Sequence, residues 1–175
     1  MILELYIGNT LKISNWNRDL KSDNIMLHIN KNDNRFTTKV IDFDHSREIA
    51  PEMSVFIGTE LWAAPEIILA QMHRREMLHY TTKADVYSFA IIMWQLIYQS
   101  MPYEEMRNFT NKKKREVIAS LLRPQTDLES IDPALQYMHD IMEISWSGDP
   151  NYRPTFSSLY QLLSKEYQKL KKTLV

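Results

Sequence analysis

The stretch of sequence that decides the fold is Asn17-Arg18-Asp19-Leu20-Lys21-Ser22-Asp23-Asn24. Within it an acidic, a cationic and an amide side chain stand at short intervals: Lys21 lies two residues after Asp19, and Asn24 three residues after Lys21. Asp and Asn commonly form turns, which is the structural interpretation of such a segment. The joint occurrence of these side chains with a second acidic segment, Asp42-Phe43-Asp44, favours a catalytic site instead.

A β-hairpin is predicted directly after this stretch. Residues 25–29 and 36–41 have the pattern of two paired strands joined by a polar turn. The outer ends of a hairpin lie side by side, so Asn24 and Asp42 are expected to converge, with Asp19 nearby. Amide and carboxylate oxygens suit Mg²⁺, and a further carboxylate can accept the proton of a hydroxyl that attacks a phosphate.

Five segments in chain order resemble signature motifs of the eukaryotic protein kinases. They are the catalytic loop H-R-D-x-x-x-x-N at 17–24, the metal-binding motif at 42–44, the end of the activation segment at 58–66, the start of the central helix at 85–90 and the turn before the last helix at 146–156. Five motifs in the expected order make coincidence an inadequate explanation. The motifs are most similar to those of tyrosine-kinase-like serine/threonine kinases, and Lys21 and Thr59 both favour Ser or Thr as the phosphate acceptor.

The resemblance implies the α+β protein kinase-like fold. The chain itself, residues 1–175, is expected to be its mostly α C-terminal lobe with a small β-hairpin. Residues 83–100 are apolar nearly all round, so this helix is expected at the buried centre. Three further helices are predicted from the spacing of apolar residues, at 112–122, 134–146 and 156–170. Residues 1–11 have the composition of a helix end.

Four residues take chemical roles by this resemblance. Asp19 is expected to be the catalytic base and Lys21 to steady the transferred phosphate. Asn24 and Asp42 are expected to hold Mg²⁺ on the phosphates of ATP. The expected activity is therefore transfer of a phosphoryl group from Mg-ATP to Ser or Thr of a protein substrate.

Five more residues take supporting roles by the same resemblance. Arg18 is expected to pair with a phosphorylated activation segment, in which Thr59 lies. Glu66 and Arg153 are expected to form a buried ion pair, and Asp85 to cap the backbone of the catalytic loop from below. For Glu66 and Arg153 the alternative is a pair of separate surface charges.

The chain departs from the family pattern at three positions within these motifs. Asn17 stands where the family has His, which puts the rigidity of the catalytic loop in question. Asp44 stands where the family has Gly, a position at which the backbone often needs a positive φ, so switching of the segment is expected to be altered. Ala90 replaces a more usual Gly, a minor change.

A Gly-rich loop is missing from the sequence. Its three glycines, Gly8, Gly58 and Gly148, are far apart, so no G-x-G-x-x-G loop can form. The chain is therefore expected to lack the N-terminal lobe and to be inactive alone, with apolar surface at residues 25–29 that meets the missing lobe or a partner protein. A non-catalytic, kinase-like interaction module is the alternative function.

Composition excludes several other classes of protein. The formal net charge of −1 argues against a general nucleic-acid binder. No segment is apolar and long enough for a membrane span. The absence of cysteine excludes disulfides and thiolate metal sites and is compatible with the cytoplasm. Lys112-Lys113-Lys114-Arg115 has two interpretations, a nuclear-import patch or the solvated start of a helix.

Overall fold

A computed structural model of the chain describes residues 15–29, 36–42, 47–48, 53–54, 59–75, 77–78 and 81–173. The predicted helix end at 1–11, the departure at Asp44 and the glycines Gly8 and Gly58 lie outside these residues.

Helices make up most of the described chain. They are α1 Pro65–Met72, α2 Lys83–Tyr98, α3 Asn111–Ala119, α4 Gln136–Ser145 and α5 Phe156–Thr173. Short 3₁₀ turns lie between them and in the loops, at Ser22–Asn24, Glu60–Trp62, Glu104–Met106, Leu128–Ser130, Pro133–Leu135 and Pro150–Tyr152.

Three antiparallel strand pairs complete the described part. The longest is the predicted hairpin, β2 Ile25–Ile29 paired with β3 Phe36–Val40, in which Ile25 faces Val40. The other two pairs join two-residue strands: β1 Asn15–Trp16 with β4 Arg47–Glu48, and β5 Met53–Ser54 with β6 Met77–Leu78. A small hairpin beside a set of helices confirms the predicted α+β, mostly helical fold.

The centre of the fold is α2, as its composition predicts. Every residue from Asp85 to Trp94 is buried, because neighbours cover the helix on all sides. The helix ends at Tyr98, since Gln99 adopts the left-handed conformation (φ 50°) and closes the last turn with a hydrogen bond to the carbonyl of Gln95.

Contacts between helices hold the fold together, and two hydrogen bonds fix the turn at residues 59–62. Helix α4 packs against α2, and α1 packs against α3. The turn at residues 59–62 is fastened to α2 by two hydrogen bonds: Ser88 Oγ donates to the carbonyl of Trp62 (2.8 Å), and Trp62 Nε1 donates to Gln95 Oε1 (3.0 Å). The side chains of Trp62, Trp94 and Trp146 lie in the core.

The helix boundaries differ from those predicted by sequence. No helix is predicted from sequence at 65–72, but Pro65 begins one, at a position where its missing N–H costs nothing. Helix α3 ends at Ala119 rather than 122, since Leu121 has a positive φ of 67°. Residues 133–135 form a 3₁₀ turn before α4, and α5 extends to Thr173.

Candidate active site

The carboxylate of Asp19 is the centre of the candidate site. Its Oδ1 accepts a hydrogen bond from the backbone N–H of Thr59 at 2.7 Å and one from the Thr59 hydroxyl at 2.9 Å. Its Oδ2 lies 3.1 Å from Lys21 Nζ, and the side chain is 10% exposed. A carboxylate in this setting can accept a hydrogen bond from an aliphatic hydroxyl, which is the first requirement of a base that takes the proton of a Ser or Thr.

Lys21 joins the two sides of the site. Its ammonium donates to Thr59 Oγ1 at 2.8 Å as well as contacting Asp19. The Lys21 side chain is 20% exposed, so the protein does not enclose it completely. A cation in this position can neutralise negative charge that develops on a phosphoryl group near Asp19.

The end of the hairpin brings Asn24 and Asp42 to one place. The N–H of Ile41, the residue before Asp42, donates to the carbonyl of Asn24 at 2.8 Å. Asn24 is buried, and its Nδ2 donates to the carbonyl of Asp19 at 2.9 Å. The amide orientation therefore leaves Asn24 Oδ1 as the atom that can bind a cation.

This donor set fits magnesium bound to a nucleotide. Mg²⁺ is usually held in proteins by one or two oxygen side chains, with the remaining ligands supplied by phosphates and water. One amide oxygen and one exposed carboxylate, Asn24 and Asp42, meet that requirement. Within the described residues no group of three or more His, Cys, Asp or Glu side chains is placed to hold a metal.

Asp85, in the first turn of α2, anchors the chain before Asp19. Its Oδ2 accepts the backbone N–H of Asn17 at 2.9 Å, and its Oδ1 accepts that of Arg18 at 3.1 Å. Burial raises the pKa of Asp85 from 3.8 to about 6, against the lowering effect of these two hydrogen bonds and of the Arg18 charge. The predicted capping contact is thus present, at the cost of a buried carboxylate.

Asn17 also holds the segment that contains Asp19, through a hydrogen bond. Its side chain is buried, and its Oδ1 accepts the backbone N–H of Asp19 at 3.2 Å. Asn17, which stands where the family has His, therefore stabilises this loop through its own amide oxygen.

Two residues of the site adopt left-handed backbone conformations. Arg18 has a φ of 67° and Asp42 a φ of 62°. Such angles are uncommon for residues other than Gly, and Asp tolerates them better than Arg. Asp85 compensates at Arg18 by accepting the N–H of that strained residue.

A second contact expected by resemblance, between Glu66 and Arg153, lies beside the core. Arg153 Nη1 and Nη2 donate to the two carboxylate oxygens of Glu66 at 2.7 and 2.8 Å. The Arg153 side chain is 0% exposed and that of Glu66 is 26% exposed, so the pair is buried on one side only. Arg153 also donates to the carbonyls of Ser147 and Lys83.

Sequence reasoning missed two relationships at this site. Thr59 was assigned to the activation segment, but its contacts with Asp19 and Lys21, across about 40 residues, were not predicted. Glu60, the next residue, pairs with Arg115 of α3 at 3.1 Å. No periodic signal in the sequence marks either contact, because both residues lie in a turn.

The comparison with known families agrees with the geometry. Residues 15–167 match the family described as protein kinase domain. The match covers most of the chain, so the chain belongs to the protein kinase domain family.

Relatives in Dictyostelium discoideum carry names of serine/threonine kinases. The protein named "Probable serine/threonine-protein kinase roco8" is 32% identical over 151 residues, which is 85% of this chain and 7% of that protein. For the relative named roco11 the identity is 34% over 157 residues, 87% of this chain and 10% of that protein. For gdt4 it is 33% over 159 residues, 88% and 9% respectively. The chain thus spans a tenth or less of the length of these relatives.

Across the part of the chain that the structure describes, no helix combines the length and apolarity needed to cross a membrane.

Proposed function

We propose that the chain is the C-terminal catalytic lobe of a tyrosine-kinase-like serine/threonine protein kinase, which transfers the γ-phosphoryl group of Mg-ATP to Ser or Thr of a cytoplasmic protein when an N-terminal lobe completes the site. The observation that carries this proposal is the hydrogen bond from the Thr59 hydroxyl to Asp19 beside the Lys21 ammonium. A carboxylate placed to receive a hydroxyl proton and an adjacent cation are two parts that phosphoryl transfer needs.

Each residue of the site has a distinct task in this mechanism. Asp19 orients the attacking hydroxyl and accepts its proton. Lys21 holds the transferred phosphoryl group by charge, and Asn24 and Asp42 supply the oxygens for the metal. Magnesium, when bound, neutralises phosphate charge. Asp85 acts through the backbone of Arg18 and is a positioning residue.

The alternative is a kinase-like module that binds a partner without phosphoryl transfer. The hairpin favours it: the side chains of Met26, Leu27 and Ile29 are 55%, 47% and 50% exposed, an apolar surface that suits contact with another protein or lobe. Asn17 and Asp44, which depart from the family's motifs, are also consistent with loss of catalysis.

The decisive experiment uses the complete product of the native transcript. Phosphoryl transfer from radiolabelled ATP to a generic Ser/Thr substrate is measured for the unsubstituted protein, Asp19→Asn and Asp42→Asn. We expect phosphoserine or phosphothreonine as product. Asp19→Asn should abolish nearly all turnover with nucleotide affinity retained, whereas Asp42→Asn should also weaken Mg-ATP binding.

Two outcomes would contradict the proposal. Mainly phosphotyrosine in the product would exclude the assigned substrate class. A folded, complete protein that binds partners through the hairpin but transfers no phosphate would establish the interaction module instead.

A further inference from the structure

A cationic surface lies where α1 ends against α3. We define the α1–α3 surface by six residues: Arg74, Arg75, Lys112, Lys113, Lys114 and Arg115. The two helices meet here, since Arg115 Nη1 donates to Gln71 Oε1 at 3.0 Å. Arg74 and Arg75 follow Gln71 within four residues, and the lysines precede Arg115 within three, so all six cations lie within about one helical turn of that contact.

Most of this charge has no carboxylate partner among the residues that the structure describes. Arg115 pairs with Glu60 at 3.1 Å, and Lys113 lies 3.6 Å from Glu116. Among the residues that the structure describes, the other four cations of the surface contact no carboxylate: Arg74, Arg75, Lys112 and Lys114. Arg74, Arg75 and Lys112 are exposed and Lys114 is half-buried.

The helix dipole favours the positions of the two arginines but not those of the three lysines. Arg74 and Arg75 follow the C-terminus of α1, where cations interact favourably with the helix dipole. The lysines occupy the first turn of α3, the positive end of the dipole, and that turn contains no acidic residue. Three cations at this end interact unfavourably with the helix dipole. Such a local conflict is typical of a functional surface.

The surface is continuous with the candidate active site. Thr59, which contacts Asp19, is followed directly by Glu60, which pairs with Arg115. These contacts lead from Asp19 to Arg115, so the residues beside a Ser or Thr at Asp19 would extend toward Lys112 and Lys114.

We propose that the α1–α3 surface binds an acidic segment of the protein substrate, close in sequence to the residue that receives the phosphate. This inference rests on the proposed function, because Asp19 fixes where the substrate lies. A polypeptide is the occupant that fits, because the surface adjoins the place where Asp19 would receive a Ser or Thr of a protein substrate, and the net charge of −1 argues against a general nucleic-acid binder.

The test measures binding, without ATP. The probe is a fluorescein-labelled peptide with one Thr beside a run of Glu, and a matched peptide carries Gln in place of every Glu. Fluorescence anisotropy gives the Kd of both for the unsubstituted chain, for Lys112→Gln/Lys114→Gln and for a control, Lys165→Gln/Lys172→Gln. The control removes the same charge from exposed positions on α5.

We expect the Glu peptide to bind more tightly than the Gln peptide, with an affinity that falls as salt rises. The Lys112→Gln/Lys114→Gln variant should lose about fivefold or more in affinity, and the control less than about twofold. The substituted α3 should remain folded by circular dichroism, because its first turn loses an unfavourable charge interaction.

Equal binding of the two peptides, or equal losses in the two double variants, would overturn the inference. So would a short RNA duplex or phosphatidylserine vesicles that bind more tightly than the Glu peptide through the same lysines. A protein that binds the acidic peptide but transfers no phosphate would disprove the proposed function alone and leave the surface as a site for an acidic partner.

Discussion

Arg153 holds both carboxylate oxygens of Glu66 with its two terminal nitrogens, at 2.7 and 2.8 Å, across 87 residues of sequence. Glu66 lies in the first turn of α1, and Arg153 follows the last 3₁₀ turn before α5. The pair therefore ties the segment that follows Thr59 to the C-terminal part of the chain. The guanidinium also lies over the ring of Tyr87 at 5.2 Å, on the central helix.

Breaking this pair is expected to destabilise the fold strongly. Glu66→Ala leaves a fully buried guanidinium without its carboxylate, and Arg153→Ala also strands the carbonyls of Ser147 and Lys83. Each substitution should lower the free energy of unfolding by about 3 kcal/mol, as for a buried pair that loses one partner. Urea titration followed by circular dichroism measures the loss.

The exposed pair between Glu166 and Lys169 provides the control. Its nitrogen and oxygen are also 2.7 Å apart, but the Lys169 side chain is 60% exposed. Glu166→Ala should cost less than about 1 kcal/mol. A similarly small loss for Glu66→Ala would show that the Glu66–Arg153 pair is energetically a surface pair.

The pKa of Asp85 predicts a pH dependence of stability. Because burial raises this pKa from 3.8 to about 6, the ionised carboxylate is less favourable in the folded chain than in the unfolded chain. The contribution of Asp85 is therefore fully favourable below about pH 4 and is lost as the pH rises through about 6. At about 1.4 kcal/mol per pKa unit, the total change is about 3 kcal/mol.

The measurement compares the unsubstituted chain with Asp85→Asn by urea titration between pH 4 and 7. The difference in unfolding free energy should shift by up to about 3 kcal/mol in favour of Asp85→Asn as the pH rises. Groups that titrate elsewhere cancel in this difference. A difference that stays constant with pH would contradict the assigned pKa.

Sequence predicted the parts of the fold that have strong local signals. The hairpin followed from two strand-like segments around a polar turn, and the buried α2 from its all-round apolarity. The two-residue strands β1, β4, β5 and β6 carry too few residues for a period to be visible, and their pairing depends on distant partners. Helix α1 is not predicted, because a Pro at the first position of a helix cannot be distinguished by sequence from a Pro in a loop.

The site divides in the same way. The convergence of Asn24 and Asp42 follows from hairpin geometry alone, since outer strand ends meet. The contacts of Asp85 with Asn17 and Arg18, and of Glu66 with Arg153, were expected only through resemblance to the family. Contacts made by turn residues depend on how loops pack, and no spacing rule applies to them.

Asn17→Ala is expected to loosen the catalytic loop. It removes the oxygen that accepts the N–H of Asp19 within a mostly buried segment. A donor left without a partner costs about 1–3 kcal/mol, and amide hydrogen exchange at Asp19 should accelerate. The control is Asn111→Ala, at an exposed position in α3.

Asn111→Ala should change stability by less than about 0.5 kcal/mol, as is usual for surface positions. If Asp19 exchange is unchanged in Asn17→Ala, the contacts of Asp85, Asn24 and Thr59 are sufficient to fix the loop, and the replacement of the family's His has no structural consequence.

The proposed kinase activity of the complete protein is expected to depend on the Thr59 hydroxyl. Thr59→Val keeps the shape of the side chain and the backbone N–H to Asp19 but removes the hydroxyl between Asp19 and Lys21. We expect about a tenfold loss in kcat, about 1.4 kcal/mol in the barrier, with Thr59→Ser close to the unsubstituted protein. Steady-state assays of the three proteins give the comparison, and equal rates for Val and Ser would assign Thr59 a purely backbone role.

The exposed face of the hairpin should make the chain self-associate. Leu27 and Ile29 lie two residues apart on one strand, so they share a face, and both side chains are about half exposed. Burying such apolar surface contributes about 25 cal/mol per Å², so contact between two copies is favourable. Sedimentation equilibrium of the 175-residue chain should show dimers or larger species at micromolar concentration.

Leu27→Gln/Ile29→Gln should shift the chain to monomer, whereas Leu128→Gln, at a site 57% exposed and far from the hairpin in sequence, should not. A monomeric unsubstituted chain at high concentration, or equal effects of the hairpin and Leu128 substitutions, would show that this face is not the surface through which copies associate.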